Sequence, residues 1–133
     1  MALGRSLAPL LTKGSVVALK GPLGAGKTCF VKGLAAGLGI TDEVNSPTYT
    51  IVSEYEAVIS GEKIPFYHID AYRLGGNDDF TAMGGEEIVF GEGISIIEWS
   101  ERISDFVLEG TLQVDFELTG DNERQIHVHR GGH

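Results

Sequence analysis

Two periods of apolar residues run along this chain, and the places where one gives way to the other mark its elements. Residues 15–20 (SVVALK) form a short β-branched run between Gly14 and Gly21, the pattern of a strand covered on both faces. From residue 27 to 38 the spacing turns helical: Phe30, Val31, Leu34, Ala35 and Leu38 fall on one side, and Gly39 stands where a C-terminal cap belongs. Strand, glycine-rich loop and helix therefore follow one another directly. Upstream, Leu3, Leu7, Leu10 and Leu11 also recur at helical spacing, but Pro9 disfavours helix at Ala8 and limits this stretch to a short or kinked helix ending near Lys13.

Beyond a loop holding Ser46-Pro47-Thr48, residues 49–58 and 64–70 read as strands joined through a turn at Ser60-Gly61, the outline of a hairpin. Residues 78–90 read as a helix weakened by glycine, residues 94–99 (ISIIEW) as a second buried strand, and residues 100–107 as a short helix with Ser100 as N-cap. Leu112, Val114, Phe116 and Leu118 then alternate with polar residues, a turn falls near Gly120-Asp121-Asn122, and Ile126 and Val128 alternate with Gln125, His127 and His129. This is the pattern of a half-exposed hairpin. With no repeat, linker or low-complexity segment, the expectation is one α/β domain spanning residues 1–133: a mixed sheet flanked by helices, with a C-terminal β-hairpin.

Composition narrows the class. The chain has 133 residues, 42% hydrophobic and 22% charged, which is ordinary for a soluble globule and excludes collagen, coiled-coil and membrane-span classes. The first residues, MALGRSLAPLL, are too short and too poor in basic groups for a secretory signal, so a cytoplasmic location is expected. One cysteine, Cys29, excludes an internal disulfide framework and a multi-cysteine zinc site.

Charge is unevenly placed. Residues 1–41 contain no Asp or Glu but carry Arg5, Lys13, Lys20, Lys27 and Lys32, whereas the rest carries all 19 acids against five bases; the whole chain has a net charge of −9. An anionic ligand is thus expected in the first third, and the acidic remainder argues against direct, unaided binding of nucleic acid.

The chemistry concentrates in a few positions. Residues 21–28 (GPLGAGKT) satisfy GxxxxGK[ST] in full, directly after a strand and opening a helix. In such a loop the glycines let successive amides converge on phosphate oxygens, the lysine reaches the β- and γ-phosphates, and the hydroxyl ligates Mg²⁺. Here these are Gly24, Gly26, Lys27 and Thr28. A metal-side acid is needed as well, and two apolar runs end in one: Asp70 and Glu98. The 27 residues between them leave room for a crossover that makes their strands parallel neighbours. One acid would hold Mg²⁺ and the other position water, in an order the spacing leaves open. Thr48 could reach a γ-phosphate or the Mg²⁺ from a switch-like loop, although a Ser-Pro-Thr stretch is more often only a turn. His68 shares a strand face with Asp70 and reads as a packed or solvent-facing histidine. His127 and His129 read as the wet side of the last hairpin, and Cys29 as a buried small residue.

Absences discriminate too. There is no NKxD-type guanine reader, and Asp70-Ala71-Tyr72-Arg73 is not DxxG, which disfavours a Ras-like GTPase. Five arginines are few for a small-molecule kinase that must clamp a second phosphate-bearing substrate, so that reading is a minor alternative.

Taken in order, GPLGAGKT (21–28), SPTYT (46–50), HIDAYRL (68–74) and IIEWSER (96–102) closely resemble the motifs of the bacterial TsaE family, also called YjeE, over about residues 4–130. The resemblance implies a single P-loop α/β domain that hydrolyses ATP slowly. It also implies action with two partner proteins that install threonylcarbamoyl on adenosine 37 of tRNA, the tRNA itself being met only indirectly. By the same resemblance Lys27, Asp70 and Glu98 are the catalytic set, and Thr28, Asp70 and Glu98 the Mg²⁺ set. The ATP or ADP set is Gly21, Leu23, Gly24, Ala25, Gly26, Lys27, Thr28, Cys29, Thr48 and Trp99. An alternative keeps the same site but makes it a nucleotide-gated interaction module with incidental hydrolysis, docking partners through residues 72–80.

Overall fold

The computed structural model of the protein describes residues 7–21, 27–40, 52–71, 74–98, 100, 103, 111–118 and 124–130. Six strands form one mixed sheet: β1 (Val16–Lys20), β2 (Val52–Ile59), β3 (Glu62–Asp70), β4 (Ile94–Glu98), β5 (Leu112–Leu118) and β6 (Arg124–Arg130). Their order across the sheet is β2-β3-β4-β1-β5-β6. β3, β4, β1 and β5 run parallel, while β2 and β6 close the two edges as antiparallel hairpin partners.

Each central strand is apolar because both of its edges and both of its faces are covered. On one face lies helix α1 (Lys27–Gly37), whose stripe of Phe30, Val31, Leu34, Ala35 and Leu38 packs on Val17, Leu19, Phe66, Ile94, Ile96, Val114 and Phe116. Phe30 meets Phe116 edge to face at 5.6 Å between ring centres, a favoured aromatic geometry. On the other face Phe80 and Val89, from the short helices α2 (Asn77–Ala82) and α3 (Gly85–Val89), pack with Ile69, Ile97 and Ile103.

The strand and helix on either side of the glycine-rich loop, the parallel pair ending in Asp70 and Glu98, the first hairpin and the antiparallel strand pair of the second lie where the pattern of the sequence puts them. Ser60 and Gly61 turn the first hairpin with φ of 53° and 80°, the left-handed pair that matches strand twist in a two-residue loop. Other readings need correction or bounds. The helix expected over residues 78–90 is two helices, because Gly84 takes φ 85° and ends the first after Met83. Upstream of β1 the described part of the helical stretch ends in a 3-10 turn, Ala8–Leu10, with Pro9 inside it and Leu11 already extended, so it stops short of Lys13; residues 1–6 lie outside the described residues. The strand β5 is not half exposed: it pairs with β1 inside the sheet and buries Gln113 along with Leu112, Val114 and Phe116. Cys29 is exposed, because it stands on the side of α1 opposite the centre of the apolar stripe. The turn at 120–122 and nearly all of the helix expected at 100–107 fall outside the described residues.

Candidate functional site

Chain order reverses at β1. The strand that follows β3 in sequence, β4, inserts on one side of β1, and β5 adds on the other. In an open parallel sheet such a reversal leaves a crevice beyond the C-terminal strand ends, where ligands bind. Three sequence features meet at that edge. β1 ends in Lys20 and passes to Gly21; β3 ends in Asp70; β4 ends in Glu98.

Gly21 opens the loop under tight constraint. Its φ is 134°, and a Cβ at this position would sit 2.5 Å from the Phe116 carbonyl oxygen and 2.8 Å from the Phe116 Cβ. Only glycine lets β1 leave the sheet here without displacing β5. The chain then starts α1 at Lys27, so Lys27 and Thr28 occupy its first turn. Helix dipole and free amides make that end favourable for an anion.

Asp70 and Glu98 are register partners on the parallel pair β3–β4, and Leu19 of β1 is the partner of Glu98 on its other side. Both carboxylates therefore stand at one level, on adjoining strands roughly 4.8 Å apart, and on the face that carries α1. Glu98 is 7% exposed, while Asp70 is half-buried. Two acids held this close repel each other unless a cation or a donor lies between them.

His68, two residues before Asp70 on the same face, is fully buried, and its Nε2–H donates to Oε2 of Glu98 at 2.5 Å. The histidine is packed, not solvent-facing, and its bond to Glu98 goes beyond what the sequence pattern shows. The signal was the two-residue spacing that gives His68 and Asp70 a common face; the missing fact was the register that brings Glu98 alongside. Ser100 is a second residue of this kind. Its buried hydroxyl lies 3.5 Å from the Leu19 carbonyl oxygen, tying the segment after Glu98 to β1.

Leu23, Gly24, Ala25, Gly26, Thr48 and Trp99 lie outside the described residues. His127 is exposed, with Nε2 3.5 Å from Oε2 of Glu117, as the wet face of a hairpin would be. Within the segment 72–80, residues 72 and 73 lie outside the described residues; among the others Leu74 and Phe80 are buried and residues 75–79 are at least partly accessible. Among the described residues no three His, Cys, Asp or Glu side chains gather around a common point. The oxygen donors at the strand ends fit Mg²⁺ better than a softer metal, since Mg²⁺ is held by one or two carboxylates together with substrate phosphates. Also among the described residues, no helix is long and apolar enough to cross a membrane.

Comparison with known proteins decides the family. The family model described as "Threonylcarbamoyl adenosine biosynthesis protein TsaE" matches residues 1–126. The chain belongs to the TsaE family. Among its relatives, the tRNA threonylcarbamoyladenosine biosynthesis protein TsaE of Treponema pallidum is 44% identical over 125 residues, covering 94% of this chain and 89% of that protein. The Bacillus subtilis protein of the same name is 41% identical over 125 residues, covering 94% of this chain and 75% of its own length. The crystal structure of YdiB from Bacillus subtilis superposes with a TM-score of 0.73 at 38% identity, over 96% of this chain and 75% of that one. The fold is thus the P-loop NTPase-like fold of TsaE-family proteins.

Proposed function

We propose that this chain is an Mg²⁺-dependent ATP-binding ATPase that supports threonylcarbamoylation of adenosine 37 in tRNA as one subunit of a partner complex. The observation that carries the reading is the pairing of Asp70 with Glu98 at one level, beside a strand–GPLGAGKT–helix unit. The names borne by the TsaE relatives supply the tRNA pathway.

In this reading the amides of residues 21–28 and the first turn of α1 bind the phosphates, and Lys27 reaches the β- and γ-phosphates. Thr28 with one of the two acids would hold Mg²⁺, which when bound neutralises charge developing on the phosphate oxygens. The other acid orients the attacking water and receives its proton. Thr48 contacts the γ-phosphate side, and Trp99 and Cys29 belong to the nucleotide's surroundings. Partner proteins carry the tRNA, in keeping with the 19 acids, all of them beyond residue 41. The site of action is the cytoplasm, where tRNA is modified.

Two variants and one reconstitution test this. Lys27→Ala is expected to abolish ATP binding in a calorimetric titration, and unchanged affinity would defeat the phosphate-loop assignment. Glu98→Gln is expected to keep binding and to lower hydrolysis by about a hundredfold or more. Threonylcarbamoyl transfer to tRNA by the partner proteins should require this chain and hydrolysable ATP. Full activity with a non-hydrolysable analogue would instead make the chain a nucleotide-gated docking module.

A further inference from the structure

We propose that His68 is a positioning residue for ATP hydrolysis: its Nε2–H grips Oε2 of Glu98 and fixes the carboxylate plane, so that Oε1 is the oxygen presented toward the nucleotide edge of the sheet. This rests on the ATPase reading above and adds a residue to it.

His68 lies deep in the sheet. It is fully buried on the α1 face of the sheet, in register with Ile96, between Phe66 and Asp70 along its own strand. Every other inward residue of that face at this depth is apolar. A polar ring among them is costly unless each nitrogen finds a partner. Only Nε2 finds one among the described residues; Nδ1 is buried without a partner. An aliphatic side chain would fill the space without leaving a nitrogen unmatched, so packing does not account for the histidine.

What the histidine does accomplish is local. The Glu98 side chain has three rotatable torsions, and an unheld carboxylate at the end of a strand samples several orientations. One hydrogen bond from a ring locked between strands removes that freedom. A reacting group held to within a fraction of an ångström is what fast hydrolysis requires. Because His68 has no accessible surface, it cannot touch nucleotide or water and acts only through Glu98. Ser100 braces the same strand end from the other side, through Leu19 of β1.

The test uses the full chain and four variants: His68→Leu, His68→Gln, Glu98→Gln and the double variant His68→Leu with Glu98→Gln. The Gln amide nitrogen falls near the place of Nε2, so His68→Gln can still donate. His68→Leu is expected to lower kcat about tenfold to a hundredfold while ATP affinity, titrated without turnover, changes by less than about twofold. His68→Gln should recover most of kcat, and in the Glu98→Gln background His68→Leu should have no further effect. Independently of activity, nitrogen-edited NMR of the nucleotide-free chain should show an exchange-protected imidazole proton on Nε2 of His68, shifted in Glu98→Gln. If the Leu variant does not fold, His68→Asn, whose amide stops short of Nε2, takes its place with the same expectations. An equal loss of kcat in both backgrounds, no recovery with Gln, or a freely exchanging ring proton would each overturn the role of His68 and leave the ATPase reading standing. A native chain that hydrolyses no ATP, alone or with partners, would overturn both.

Discussion

Strands β4 and β2 belong to one sheet and share almost nothing else. Every residue of β4, from Ile94 to Glu98, is buried; of the eight residues of β2, only Ala57 is. β4 has a parallel neighbour on each side and packed side chains on each face, whereas β2 is an edge with Glu54 and Glu56 turned to solvent. The contrast teaches where a carboxylate is informative. On the edge, acids keep other chains from pairing there and cost little. At the end of a fully buried strand an acid is out of place energetically, and its presence has to be explained by what it does.

The comparison can be broken first at its strongest point. Ile96→Ala, in the middle of β4, should lower unfolding stability by about 2–5 kcal/mol in a denaturant titration; a cost below 1 would mean the centre of the sheet is loosely packed. Gly21→Ala should follow, at about 1–3 kcal/mol of backbone strain, together with a weakened affinity for ATP because the loop must move away from Phe116. Unaltered melting and binding would show that β5 yields easily. On the edge, Val58→Thr should change stability by less than about 0.5 kcal/mol, as exposed substitutions do.

The smallest effect is expected in alkali. The Lys13 ammonium, 2.6 Å from Glu62, is held above its ordinary pKa by that carboxylate's hydrogen bond and charge, and burial raises the Tyr67 phenol, with the charge of Glu54 adding to it. Both folded values exceed the unfolded ones. The contribution is therefore complete below about pH 10 and fades as pH climbs through the raised values. Lys13→Met should flatten part of that decline while leaving stability at neutral pH nearly unchanged, since the pair is exposed and screened.

Much of this was legible because local rules and tertiary context agree. Residues 15–38 announce strand, loop and helix through their glycines and one apolar stripe, and Asp70 and Glu98 stand out as acids closing apolar runs. Position within the sheet was not legible. Alternation in residues 112–118 has the look of a wet hairpin strand, yet Gln113 is buried because β1 pairs beside it, a contact between residues nearly a hundred positions apart. His68 shows the same limit more sharply. Nothing adjacent to it in the chain distinguishes a packed ring from one that holds Glu98, since only the β3–β4 register brings the two together. Cys29 was misplaced for a simpler reason: apolar sequence neighbours on a helix do not share a face.

The position of β4 has a consequence during synthesis. It fills the slot between β1 and β3 yet leaves the ribosome after both. Until Ile94–Glu98 emerges, β1 and β3 lack the strand that separates them in the finished sheet, and they must not pair with each other prematurely. Anything that delays or misdirects that late insertion would leave a chain whose phosphate loop and Asp70 are already made and whose Glu98 has not yet arrived.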